Sequence, residues 1–377
     1  MRLPSISPIT GRSRKFLRGS SARKGFTLVE LMVSTVILLL IMGLVLSLTD
    51  QTSKIWKHST AQIQSFESAR AAYATMTMRL RQATLNTYLD YYDAAGNIRS
   101  ASNTAFVPAS YARASELHFI VDQARTIVPG TAADHPTHAV FFQAPLGFTM
   151  NTTSYANLPN ILNACGYYVE FNSDKSFNPP FLDATAVKER YRYRLMEFLQ
   201  PAESLAVYGT SSSSSVIGSL PAYDGWFYNC LPTNIGAIPT TQTNVPLRML
   251  AENIIALVIM PEMSPRDASA TVLAPNYTYD SRAGTISTIT RNQLPPLLRV
   301  VMVAVDEPSF QRLVPSGSST PPTVISNLLS SATPLFQTSA SLDADLNTLT
   351  SALSAQKIGY RVFDTDIAIR GAKWSTQ

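Results

Sequence analysis

Cysteine is scarce in this chain. Cys165 and Cys230 are the only two in 377 residues. Neither sits in a C-x-x-C pair or at Cys/His ligand spacing, which argues against a zinc ribbon or finger. If this part of the chain is exported, the two could close a disulfide whose loop entropy would contribute about 4 kcal/mol; two buried thiols are the alternative. Histidine is also thin, limited to His58, His118, His135 and His138. Asp134, His135 and His138 are close in sequence, but Pro136 works against a helix that would put both imidazoles on one face, so no metal is expected there. The acidic pairs at 343–345 and 364–366 lack the loop pattern of a calcium site. No G-x-S-x-G, G-x-G-x-x-G, Walker-type loop or H-E-x-x-H occurs, so neither an enzyme nor a cofactor is expected.

Acid is missing from the front. Residues 1–25 hold Arg2, Arg12, Arg14, Lys15, Arg18, Arg23 and Lys24 and no Asp or Glu. Without these seven, the 30 Lys and Arg of the chain fall to 23, against 25 Asp and Glu, so the basic character does not extend to the body. That excludes a nucleic-acid partner, because no cationic face remains to neutralise phosphates. Proline is absent between Pro8 and Pro108, and after Gly25 the only glycine before Gly96 is Gly43. A long uninterrupted helix is permitted there.

What fills that stretch is apolar. From Leu28 to Leu48 the only charge is Glu30, and about 20 such residues match the helical length that crosses a bilayer. The basic residues precede the span, so the positive-inside rule places residues 1–25 in the cytoplasm and the large body outside. The segment LVLSLTDQTSKIW offers no small-residue cleavage site of the secretory type, so the span is expected to stay. Beyond it Ile55, Ile63, Phe66, Tyr73 and Leu80 fall along one stripe, predicting an amphipathic continuation. A helix from Phe26 to about Leu85 would be on the order of 90 Å long, with its second half on a globular head.

The run RKGFTLVELMVSTVILLL (residues 23–40) resembles the processing and methylation site of type IV prepilins and type II secretion pseudopilins. The resemblance covers about 35 residues. It implies a leader ending at Gly25, cleavage by a prepilin peptidase between Gly25 and Phe26 and N-methylation of Phe26. It also implies assembly with other pilins or pseudopilins at the inner membrane, with Glu30 pairing the amine of a neighbouring subunit. Two opposite charges brought together near the bilayer edge offset much of the cost of either alone, so such a pair can favour one register. A plain anchor with a snorkelling glutamate is the simpler alternative.

From about Tyr88 the chain turns to short apolar runs separated by Ser, Thr, Asn and Pro. Strands are expected at 116–122, 138–144, 166–172, 191–198, 253–260, 297–305 and 360–370. In GYYVEFN (166–172) the alternation predicts one wet face, and in YRYR (191–194) two tyrosines and two arginines predict a half-buried strand. LLRVVMVAV (297–305) lacks alternation, which predicts a central, covered strand. Leu342, Leu346, Leu349 and Leu353 predict one amphipathic helix ending before Gly359. The segments 209–221 and 315–341 are expected as polar loops. The fold class is therefore α+β: a pilin-like long helix packed on an antiparallel sheet, divided into leader 1–25, span 26–48, helical continuation 49–87 and head 88–377. Residues 247–263 followed by 293–306 resemble a late strand pair of J-type minor pseudopilins. The ending VFDTDIAIRGAKWS (362–375) is similar to the prepilin-like proteins of Verru_Chthon cassettes.

Overall fold

A computed structural model describes residues 25–100, 103–155, 158–175, 189–208, 216–217, 220–232, 246–265, 272–314 and 318–374. Leader residues 1–24 and most of the 209–221 segment lie outside the described residues. Two compact units are present, one ending at Lys57 and one running from His58 to Gln377. Helix α1 (Leu28–Leu80) begins in the first and finishes in the second.

In the first unit α1 is apolar on every side, and its side chains are exposed from Leu28 to Leu48. It is long and apolar enough to cross a membrane, as expected of a helix whose solvent is lipid rather than protein. In the second unit α1 becomes amphipathic. Ala69, Ala72, Tyr73, Met76 and Leu80 are buried, and Phe66 packs at the margin of the core. The expected stripe holds from Phe66 onward, whereas Ile63 is 55% exposed. The helix stops at Leu80, short of residue 87. Its last turn tightens through Gln82 N to Arg79 O and Ala83 N to Leu80 O, and Thr84 N then donates to Gln143 O.

The strands are β1 (Tyr88–Tyr92), β2 (Ser110–Ala114), β3 (Ile120–Gln123), β4 (His138–Ala144), β5 (Asn163–Ser173), β6 (Tyr191–Gln200), β7 (Val216–Ile217), β8 (Leu220–Pro221), β9 (Leu247–Glu252), β10 (Ile254–Glu262), β11 (Tyr279–Asp280), β12 (Leu297–Val305) and β13 (Tyr360–Ala368). Six form one antiparallel sheet in the order β11-β3-β4-β5-β6-β9, and three form a second in the order β10-β12-β13. The non-alternating β12 is central in its sheet, as its composition predicts. The first half of the expected 116–122 strand is not laddered, because side chains take its amides: His118 N donates to Gln143 Oε1 and Phe119 N to Ser281 Oγ.

The two sheets are joined at Asn253, whose φ of 61° turns β9 of the first sheet into β10 of the second. Asparagine tolerates this left-handed conformation, and Val305 N holds its carbonyl. β10 lies against β4, β5 and β6. Two of its amides are capped by side chains at the start of β4: Leu257 N donates to Thr137 Oγ1 and Ile259 N to His138 Nδ1.

The expected wet face of β5 does not exist, since all its residues are buried. On one face Tyr167 donates to Glu197, which Arg79 of α1 also contacts. On the other, Tyr168 lies against His135 and Phe141. Phe141 stacks on Phe227 at 4.2 Å, and Gly166 makes the room: a Cβ there would sit 2.2 Å from the Phe141 ring. β6 is likewise covered rather than half-buried. Arg192 forms a fork to Glu307 with bonds of 3.1 and 2.7 Å, and Arg194 bonds Glu252 and Asn172. Burial raises the Glu307 carboxyl, but the Arg192 and Asn253 hydrogen bonds reverse this and leave it below its ordinary range.

Of the short helices α2 (Ala124–Ile127), α3 (Thr152–Tyr155), α4 (Gly225–Tyr228), α5 (Glu307–Leu313), α6 (Thr323–Leu329) and α7 (Leu342–Ala355), the last matches the leucine spacing. Leu342, Leu349 and Leu353 are buried. α6 corrects the polar-loop expectation for 315–341, because Ile325, Leu329 and Phe336 are buried in the core. Serine and threonine dominate that segment, yet its few large apolar side chains suffice to dock it.

Candidate functional site

The start of α1 is a reciprocal cap. Glu30 N donates to Thr27 Oγ1 at 3.3 Å, while Thr27 N and Oγ1 donate to Glu30 Oε2 at 3.2 and 3.3 Å. This T-x-x-E capping box satisfies two groups that a helix end otherwise leaves open. It also puts a carboxylate where the helix dipole favours one. Thr27 was missed in reading the sequence for function, although the T-x-x-E spacing is a legible signal. Gly25 and Phe26 precede the helix, and Phe26 is 76% exposed. Gly25, Phe26 and Glu30 thus fall within six residues at one helix terminus.

A helix whose only charge as far as Leu48 is its own capping carboxylate, Glu30, leads into a unit of antiparallel sheets, which is the layout of a pilin-like fold with a candidate membrane anchor. Residues 20–46 match the family model described as the prokaryotic N-terminal methylation motif, which supports placing the chain with type IV prepilins and pseudopilins. No curated protein and no solved structure matches the chain significantly.

The sulfur and imidazole candidates are dispersed. Cys165 and Cys230 are free thiols. Cys165 pairs with Leu199 across β5 and β6, whereas Cys230 contacts Gln200, the neighbour that points to the opposite face. Burial pushes the Cys165 thiol up to about 12, so it has little thiolate character. Asp134 is held by Thr131, and His135 Nε2 lies 2.8 Å from Pro129 O. His138 Nδ1 accepts from Ile259 N, and its Nε2 lies 3.2 Å from Phe336 O. These three therefore do not converge.

The polar cluster that does form is built on His118. Its Nε2 lies 2.8 Å from Asp280 Oδ1, Trp226 Nε1 donates to its Nδ1 at 3.1 Å, and Asp224 Oδ1 is 3.7 Å from that same Nδ1. Asp280 accepts in addition from Arg282 N and Tyr223 Oη. Asp224 is buried and its Oδ1 accepts no hydrogen bond from the described residues. Burial, reinforced by the nearby Asp280 charge, raises its carboxyl to about 7. Burial lowers the His118 imidazole from its ordinary value. Arg282 donates to the backbone carbonyls of Tyr223 and Glu116 rather than to either carboxylate. His118 and Asp280 are 162 positions apart, so no local motif announces the cluster.

Proposed function

We propose that the chain is a minor pseudopilin or pilin-like structural subunit without enzymatic activity. In this reading a prepilin peptidase cuts between Gly25 and Phe26 and the new amine of Phe26 is methylated. The helix then anchors the chain once in the inner membrane, with the leader cytoplasmic and the head periplasmic. Assembly with other pilins through α1 builds a type II secretion pseudopilus or a type IV pilus-like filament. The observation that carries the reading is the methylation motif at residues 20–46 on a helix whose apolar side chains are exposed all round and whose only charge to Leu48 is Glu30. Mass spectrometry of the mature N-terminus from the native membrane tests it. A chain starting at N-methylated Phe26 is expected, and one starting at Met1 would overturn the proposal.

A membrane-tethered binding or adhesion protein is the second reading, favoured by one feature of the head. The β1–β2 hairpin presents Tyr91 and Tyr111 as an exposed pair 4.9 Å apart, with Leu89 beside them. Exposed aromatic pairs are contact surfaces in many interfaces. Co-purification with other chains bearing the same leader motif favours the filament subunit, whereas affinity of the protein for a surface ligand, lost on Tyr111→Ser, favours the tethered binder.

A further inference from the structure

We propose that His118 Nδ1 and Asp224 Oδ1 bind one divalent cation of the zinc class in the head, with Asp280 as the outer carboxylate that orients the imidazole. His118, Asp224 and Asp280 come from three separate segments and each offers a donor atom within 4.8 Å of the others. Asp280 Oδ1 accepts from Arg282 N and lies 2.8 Å from His118 Nε2. Since a carboxylate in that position accepts, Nε2 carries the ring proton and Nδ1 presents its lone pair. That is the tautomer a metal-ligating histidine adopts when a carboxylate stands behind it.

The independent observation is Asp224. It is 1% exposed, its Oδ1 accepts no hydrogen bond from the described residues, and that oxygen faces Nδ1 across 3.7 Å. Two bonds of about 2.0–2.1 Å meeting at a metal would span this gap at an angle of about 130°, and closing to a tetrahedral angle needs an approach of roughly 0.4 Å. A buried carboxylate without a hydrogen-bonded partner is costly, and Arg282, whose hydrogen bonds go to backbone carbonyls, acts on it through its charge alone. Trp226 Nε1 holds the Nδ1 lone pair at 3.1 Å; an indole N–H is a single neutral donor, which the cation displaces. Imidazole with carboxylate and no thiolate suits Zn²⁺ or Co²⁺, whereas calcium takes oxygen donors. Water completes the coordination, reaching the cluster beside Asp280, whose side chain is 13% exposed, and the half-buried Tyr223.

The test uses the full chain in detergent, stripped with a chelator and titrated with Zn²⁺ by calorimetry and with Co²⁺ by visible absorption. One equivalent of Zn²⁺, ligand-field bands with Co²⁺ and a rise in Tm with either ion are expected. Asp224→Asn keeps the shape and removes the charge; it should fold with unchanged circular dichroism and lose at least tenfold in affinity. Trp226→Phe removes the competing N–H and should bind several-fold more tightly. A wild-type chain that takes up neither ion, or an Asp224→Asn chain that binds as well as wild type, overturns the proposal and leaves a proton as the partner of Asp224.

Discussion

Lowering the pH should weaken the clasp that His138 makes between β4 and β10. Its imidazole is fully buried and accepts the Ile259 amide at Nδ1, 3.1 Å away. Nε2 lies 3.2 Å from Phe336 O, and Tyr277 packs on the ring at 4.4 Å. Protonation at Nδ1 would set one N–H against another. Burial lowers the imidazole from its ordinary 6.5 to about 4, although the hydrogen bond to Phe336 opposes the shift. In the unfolded chain the ring protonates through 6.5, so between pH 6.5 and 4 the unfolded state binds more protons and stability falls as pH falls. The slope is about 1.4 kcal/mol per pH unit and the total by pH 4 is about 3 kcal/mol. The assay is urea unfolding followed by tryptophan fluorescence, at pH steps from 7.5 to 4, for wild type and His138→Gln. Glutamine can still accept from Ile259 N but does not titrate. Other buried groups change charge in this window with both signs, so the difference between the two proteins is the quantity to read. Identical pH slopes for the two would refute the reasoning.

Arg79→Leu leaves Glu197, whose side chain is 2% exposed, without its cation. A loss of about 3–5 kcal/mol is expected, and a double-mutant cycle with Glu197→Gln should recover much of it; additive losses would contradict the pairing. Gly166→Ala puts a methyl 2.2 Å from the Phe141 ring and 2.9 Å from Val140 O. Overpacking should lower stability by about 1–3 kcal/mol, and an unchanged Tm would show that Phe141 can move aside. Glu30→Gln keeps a capping-box residue at the third helical position while removing the charge. Processing should therefore continue while co-assembly with partner pilins drops, and normal co-assembly would count against the role given to the charge.

The sequence was most legible where one physical demand dominated. Residues 138–144 and 297–305 are predominantly apolar runs without alternation, and both are strands with those limits. The leucines of α7 needed only periodicity. Failures came where tertiary cover replaced water. Glu170, Asn172, Arg192 and Arg194 read as a solvated face, yet all are buried, because paired polar groups supply one another's hydrogen bonds. β1, β2 and β9 escaped notice because Asp90, Arg113 and Arg248 break their apolar patterns. At the front of the chain Glu30 stood out as the lone charge in an apolar run, and its cap partner three residues earlier, Thr27, did not. The His118 cluster was illegible because only the folded sheet brings β11 and the segment before α4 together.

The capping box gives Glu30 a resident partner before any second subunit arrives. A neighbouring amine would have to displace the Thr27 groups from Oε2, so docking becomes an exchange of one set of donors for another. The net gain of such an exchange is the difference between two interactions, smaller than either one. In the proposed filament, a helix start arranged in this way would distinguish correct from shifted neighbours while adding little to the grip between them. Subunits joined by it could be inserted and withdrawn without breaking a strong ionic bond at each step.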